Sequence, residues 1–595
     1  MLYPQESESR EIKDLSGIWR FRADRNECGR RESWFAGPLT ETIPMPVPCS
    51  YNDVTQDRSL RDHIGEVWYE TTFFVPTSWA GKRVWLRFAS ADHAATAWVN
   101  GHEAVSHKGG FLPFAADVSE LVEYGAENRL SVAVDNILTW ETLPPGVVKS
   151  FDDMNHPSGY RVQDIHFDFF HYAGLNRPVL LVATPRTVID DITVRNEVND
   201  SDARMSYDLS VLGECDGASV VLHDGDGNEV ARADGLSGEF HIPGVRLWKP
   251  GAPQLYQLEC RVRGSDGADD VYRLETGVRT VRVTDSGFFI NDEPFYFQGC
   301  CKHEDMDVKG RAEDHAMMVK DFNLMDWLGA NSTRTSHYPY SEEFMRLADR
   351  QGLVIIDEAP AVGMRSDVAD EPTYSDGRIS ARTLAHHMEV MRELIARDKN
   401  HPCVVMWSVA NEPIVNEPAA GEYFKRVIAE TRRLDPTRPV TLVTGDVNPP
   451  EKCYPFAYVD VMCINRYHSW YSDPGHTELI ELQTIAELSP WHEYYKKPLI
   501  ISEYGADTIP GLHSEPPVMF SEEYQVAVLE EFHKGFDKLP FVIGEHVWNF
   551  ADFATKQGIT RVGGNKKGVF TRQRQPKAAA HALRARWHQP RRKTV

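Results

Sequence analysis

Between about residues 14 and 183, apolar and polar positions alternate in short runs such as VWYETTFFV, RVWLRFAS and ATAWVNG, broken by Gly, Pro, Asn and Asp turns. A period of two sends successive side chains to opposite faces, so residues 1–183 read as an antiparallel β-sandwich. The alternation continues in DDITVRNEV, RMSYDLSVL, ASVVLHDG, LYQLECRVRG and VYRLETGVRTVRV. Residues 184–283 have the length and strand count of one immunoglobulin-like sandwich. After residue 284 the pattern changes to short runs, mostly apolar and read as buried, separated by stretches of helical spacing. The runs are FYFQG, ANSTRTS, LVIIDE, VVMWSVANE, VTLVTG, VDVMCIN, PLIISEYG and GEHVWNF; RAEDHAMMVKDFNLMDWLG and GEYFKRVIAETRRLD represent the helical stretches. Eight buried strands alternating with helices predict a (β/α)8 barrel over residues 284–595.

Composition narrows the choice of partners. Sixty-four basic and 88 acidic residues give a formal net charge of −24, with no basic face, which disfavours nucleic acid. No apolar run is long enough to span a membrane, and the N-terminus MLYPQESESREIKDL lacks an apolar signal core. The chain reads as cytoplasmic; a secreted protein whose signal peptide had been removed would look the same. Nine cysteines, with Cys300 and Cys301 adjacent, show neither a disulfide framework nor metal-ligand spacing. Of two glycosylation sequons, Asn199-Asp-Ser falls in a polar turn and Asn331-Ser-Thr in an expected buried strand.

Glu412 and Glu503 each end a very apolar run, VVMWSVAN and PLIIS, and in a barrel the C-terminal strand ends carry the chemistry. A lone strand-end Glu more often caps a helix or forms a salt bridge. Two of them, about three βα units apart, can face each other across the barrel mouth. Such a pair suits glycosidic bond cleavage: one carboxyl protonates the leaving oxygen while the other attacks the anomeric carbon. Asn411 offers an amide to a sugar hydroxyl, and Tyr467 in NRYHSWY could orient Glu503. Asp357 and Glu358 are a rival pair, but neighbours on an extended chain point opposite ways, so they read as supporting residues.

WSVANEP around Glu412 and ISEYGAD around Glu503 resemble the family 2 glycoside hydrolases. So do FDFFHYAGLNRPV (167–179), RTSHYPY (334–340), NRYHSWY (465–471), WNFADF (548–553) and RVGGNKKGVFTR (561–572). The resemblance covers nearly the whole chain and is greatest to the branch that cleaves β-D-glucuronides. It implies an N-terminal jelly-roll of sugar-binding type, an immunoglobulin-like domain and a catalytic barrel. By the same resemblance Glu412 is the acid/base and Glu503 the nucleophile of a retaining double displacement, with no cofactor and no metal. Asn565 and Lys567 match an Asn-x-Lys element that holds the C6 carboxylate, and Arg561 adds to a local positive cluster. Asp168 matches an aspartate that the N-terminal domain contributes to the pocket. Tyr471 and Arg561 would meet the sugar acid, and His337 and Trp548 would line the saccharide site.

His303, Glu304 and Asp305 read as polar pocket residues. His171, Cys300 and Cys301 depart from the family pattern without touching its chemistry. GMRSDVADEPTYSDGRISART reads as a loop over the pocket. The expected substrate is a small-molecule or oligosaccharide β-glucuronide, and resemblance favours a homo-oligomer, dimer or tetramer. Rival readings are a neutral-sugar enzyme such as a β-galactosidase or β-mannosidase, a β-galacturonidase, and a non-catalytic carbohydrate-binding protein.

Overall fold

The computed structural model describes residues 2–366 and 371–589. The loop expected over the pocket falls partly on residues 367–370, outside that range. The N-terminal unit is two packed antiparallel sheets with a two-stranded hairpin, 146–151 and 160–165, beside them. The six-stranded sheet runs 43–47, 17–23, 66–75, 126–135, 94–99, 102–108, and the four-stranded one 11–14, 179–184, 83–88, 114–117. Their inner faces enclose Trp19, Phe21, Tyr69, Phe88 and Leu181, the apolar positions of the alternating runs. Residues 188–276 form the second sandwich, a three-stranded sheet facing a four-stranded one around Tyr207, Phe240, Leu258 and Val262.

The eight apolar runs close a parallel barrel in sequence order. Its strands are Phe297–Cys301, Ser332–Arg334, Val354–Glu358, Val404–Asn411, Val440–Thr444, Val461–Asn465, Leu499–Glu503 and Val542–Val547. Every residue in the third to eighth strands is buried, because the strands are covered by helices outside and by one another's side chains inside. Burying each large apolar side chain here contributes roughly 1.5–3 kcal/mol before entropy is subtracted. The helices start where the sequence supplies caps: Asp314, Ser341, Ser380 and Ser521 each accept a hydrogen bond from a backbone N–H of the first turn. No helix among the described residues is long and apolar enough to cross a membrane.

The N-terminal sandwich is fastened to the barrel rim by buried ions. Arg87 Nη2 donates to both oxygens of Glu342 at 2.8 Å, Arg311 pairs with Asp92 at 2.6 Å, and Arg177 pairs with Glu304 at 3.1 Å. Phe167 and Phe169 of the sandwich belong to the same apolar cluster as the barrel core. This docking carries Asp168 to the barrel mouth. Asn331, which precedes the second strand, uses its amide fully: its oxygen accepts from Gln298 N and its nitrogen donates to Tyr296 O. Asn199 ends a strand and is exposed.

Candidate active site

The C-terminal ends of the strands surround a cleft of about 510 Å3 lined by Glu412, Glu503, Asn411, Asn465, Tyr467 and His337, with Trp548, Tyr471, Arg561 and Asp168 completing it. Glu503 ends the seventh strand and is 4 % exposed. Its Oε1 accepts from Arg334 Nη2 at 2.5 Å and its Oε2 from the Tyr467 hydroxyl at 2.6 Å. Burial raises its carboxyl above the ordinary glutamate value and Glu412's charge adds to this, while Arg334, His337 and the Tyr467 hydroxyl pull against it. Burial, then the charge of Glu503, lifts the Tyr467 phenol well above its usual range, so it stays a proton donor.

Glu412 follows the fourth strand and is half-buried, with φ 48°, a left-handed conformation uncommon for a non-glycine residue. Its N–H donates to Val443 O at 2.9 Å and its Oε1 accepts from Asn465 Nδ2 at 2.7 Å. The turn leaves the strand direction and brings the side chain over Gly445, where a Cβ would stand 2.5 Å from Oε1. Asn411 Oδ1 lies 3.3 Å from Asn465 Nδ2 and 3.4 Å from Arg334 Nη1.

Asp357 and Glu358 diverge, as adjacent strand residues must. Glu358 points into the barrel, where its oxygens accept from Arg334 Nη1 at 2.7 and 2.8 Å and from Ser408 at 2.7 Å, and its Oε1 lies 2.9 Å from His337 Nδ1. Burial alone would raise the Glu358 carboxyl, but Arg334 and His337 outweigh it and hold it below its ordinary value. Asp357 instead faces Thr335 and Asp398. His337 stacks on Trp548 with ring centroids 5.0 Å apart, and its Nε2 lies 3.6 Å from Glu503.

The segment after the eighth strand folds back on the barrel: Asn549 N donates to Lys567 O and Val569 N to Asn549 O. Lys567 Nζ is thereby enclosed, 4.8, 4.9 and 5.5 Å from the ring centroids of Tyr471, Trp470 and Tyr467. It pairs with Asp507 and donates to the Tyr471 hydroxyl at 3.1 Å. Arg561 pairs with Asp168 at 2.9 Å and donates to the same Tyr471 hydroxyl at 2.7 Å; Asn565 Nδ2 donates to Asp168 Oδ2 at 2.7 Å. The expected positive cluster is therefore not net positive. Each cation faces an aspartate, so an anion here would be held by directed donors rather than by bulk charge.

All eleven residues singled out in the sequence converge on this rim, with Lys567 and Asn565 behind Tyr471, Arg561 and Asp168. Arg334, Asn465 and Asp507 were passed over. The first two end barrel strands just as Glu412 and Glu503 do, so the same positional signal marked them. Asp507 lay unread within ISEYGAD. Of the three polar residues at 303–305, only His303 lines the cleft. Glu304 turns to Arg177 of the sandwich, and Asp305 to Arg572 of the segment after the eighth strand.

A (β/α)8 barrel that gathers opposed carboxylates in a cleft of sugar size is laid out as a glycoside hydrolase. The profile for "Glycosyl hydrolases family 2, TIM barrel domain" matches residues 281–591, the family's sugar binding domain matches 12–185, and its remaining domain matches 184–279. The β-glucuronidase of Paenibacillus borealis is 54% identical over 588 residues, 99% of this chain and 98% of that one. The solved β-D-glucuronidase of Dictyoglomus thermophilum superposes with a TM-score of 0.94 at 50% identity, covering 99% of each chain. The Ruminococcus gnavus β-glucuronidase in complex with D-glucuronic acid gives 0.93 at 40% identity, again over 99% of each. The chain belongs to glycosyl hydrolases family 2.

Proposed function

We propose that this enzyme hydrolyses β-D-glucuronides with net retention of anomeric configuration. Glu503 Oε attacks the anomeric carbon while Glu412 delivers its proton to the departing glycosidic oxygen; Glu412 then takes a proton from the water that displaces Glu503, releasing glucuronate. Arg334 and the Tyr467 hydroxyl favour the ionised Glu503 that attack requires. The Asn411 amide donates to a sugar hydroxyl beside the anomeric centre.

The observation that carries the choice of sugar is the group formed by Lys567, Arg561, Asn565 and Tyr471 beside the Glu503 support. The Tyr471 hydroxyl oxygen accepts from two cations. Its own proton is thus left to donate, and Tyr471 and Arg561 at the cleft, backed by Lys567 and Asn565, would hold a C6 carboxylate. A neutral sugar would gain nothing from these groups, which the aspartates already satisfy. The relatives named above bear the name β-glucuronidase, which supports the same reading.

A panel of nitrophenyl β-D-glycosides assayed on wild type and Lys567→Ala tests it. Wild type should cleave the glucuronide far faster than the galactoside, mannoside and galacturonide, and the variant should lose that preference. Comparable rates on a neutral glycoside would overturn the reading, and saturable binding without turnover at any pH would make the protein a carbohydrate binder.

A further inference from the structure

Far from the active cleft, a cavity of about 280 Å3 lies between the second sandwich and the base of the barrel. It is lined by four cations, Arg195, Arg279, Lys399 and Arg438, together with the polar groups of Thr280 and Asn400, and by no carboxylate among the described residues. In a chain of net charge −24 that is an unusual enclosure. Arg195, Lys399 and Arg438 pair with Asp208, Asp191 and Asp435, none of which faces the cavity.

Arg279 makes no ion pair among the described residues. Its Nε donates to Pro402 O at 3.1 Å and its Nη2 to Val404 O at 2.7 Å, and two carbonyls do not neutralise a guanidinium. Burial, and then the neighbouring charge of Arg438, bring its pKa down to about 9, while Asp435, Cys403 and Asp349 offset only part of this. The cavity thus gathers four cations at a partly enclosed site where Arg279 has no carboxylate partner of its own, a place where reduced solvent screening favours an anion.

We propose that this cavity binds a small tetrahedral oxyanion, inorganic phosphate or sulfate, which ties the second sandwich to the foot of the fourth barrel strand. The volume suits one such ion with a few waters, at roughly 30 Å3 per water. Arg279 and Arg438 both donate to Val404 O, the start of the strand whose other end carries Asn411 beside Glu412. Seven residues of extended chain separate the two ends, roughly 20–25 Å, so the ion would act on stability rather than on the chemistry.

The test is thermal unfolding of the whole chain titrated with sodium phosphate or sulfate from micromolar to 10 mM, with chloride holding ionic strength constant. At these concentrations the general stabilisation by such salts is small. Wild type should show a saturable rise of about 1–3 °C. Arg195→Glu, an exposed substitution at the cavity rim, should weaken the half-saturating concentration about tenfold. Arg279→Gln should abolish the response. No saturable rise in wild type, or a titration of Arg195→Glu that overlays wild type, would overturn the proposal. A retained response in a folded Arg279→Gln would do so equally, and if that variant does not fold, Arg195→Glu decides alone.

Discussion

Arg334 and Glu503 meet inside the barrel at 2.5 Å, and the same guanidinium serves Glu358 with its other amino group. One cation therefore supports two buried carboxylates, and His337 supplements it on both. Arg334→Met would leave two charges buried and facing each other. We expect turnover to fall at least about a hundredfold and stability by roughly 3–5 kcal/mol, the scale for breaking a buried pair. Steady-state kinetics and urea unfolding measure both, and a variant with near wild-type turnover would show that Arg334 does not support Glu503.

The raised Glu503 carboxyl sets the acid side of the pH profile. A carboxyl whose pKa is higher in the folded protein than in the unfolded chain contributes stability that is fully present below the unfolded value. That contribution is lost as pH rises through the folded value. Attack needs the ionised form, so the acid limb of kcat/KM should lie above the ordinary carboxylate value of about 4.3, and Arg334→Lys should move it no lower. A limb at or below 4.3 in wild type would contradict the burial argument.

The two glutamates should respond differently to removal. Glu503→Ala should abolish turnover while glucuronide still binds, which calorimetry on the variant checks. Glu412→Ala should spare nitrophenyl leaving groups far more than alkyl ones, because a good leaving group needs little protonation. Equal losses on both substrate types would remove Glu412 from the acid role.

Gly445 leaves the space that the Glu412 side chain occupies. A Cβ at this position would come within 2.5 Å of Oε1, closer than side-chain contacts allow, and the carboxylate end would have to move. Gly445→Ala should leave the melting temperature within about 2 °C of wild type, since the clash falls on one movable side chain. It should slow alkyl glucuronides by about tenfold or more and nitrophenyl glucuronide less, since small displacements of an acid are costly. An equal or absent effect would show that Glu412 adjusts without loss.

Lys567→Ala should raise KM and lower kcat for glucuronides, with kcat/KM falling by roughly a hundredfold or more. An anion entering the site would lose a charged donor, and Asp507 would keep only the more distant Arg561, at 3.5 Å. Double substitution of Lys567 and Asp507 by Ala and Asn should recover stability but not activity. Recovery of both would mean that the aspartate, not the missing ammonium, was responsible.

The linear chain determined a good deal of this. Period-two alternation marked both sandwiches, and eight apolar runs marked every barrel strand, because burial on one face or on both leaves a pattern that needs no contact partner to be read. The position of Glu412 and Glu503 at strand ends was legible for the same reason. What only the tertiary structure decided is which charges neutralise which. Arg334, on the second strand, serves carboxylates that end the third and the seventh strands, and Asp168 crosses from another domain to hold Arg561. Asp507 takes up Lys567, so a cluster expected to be positive is balanced. Ion pairing depends on proximity created by barrel closure and domain docking, and two residues hundreds of positions apart carry no local mark of it.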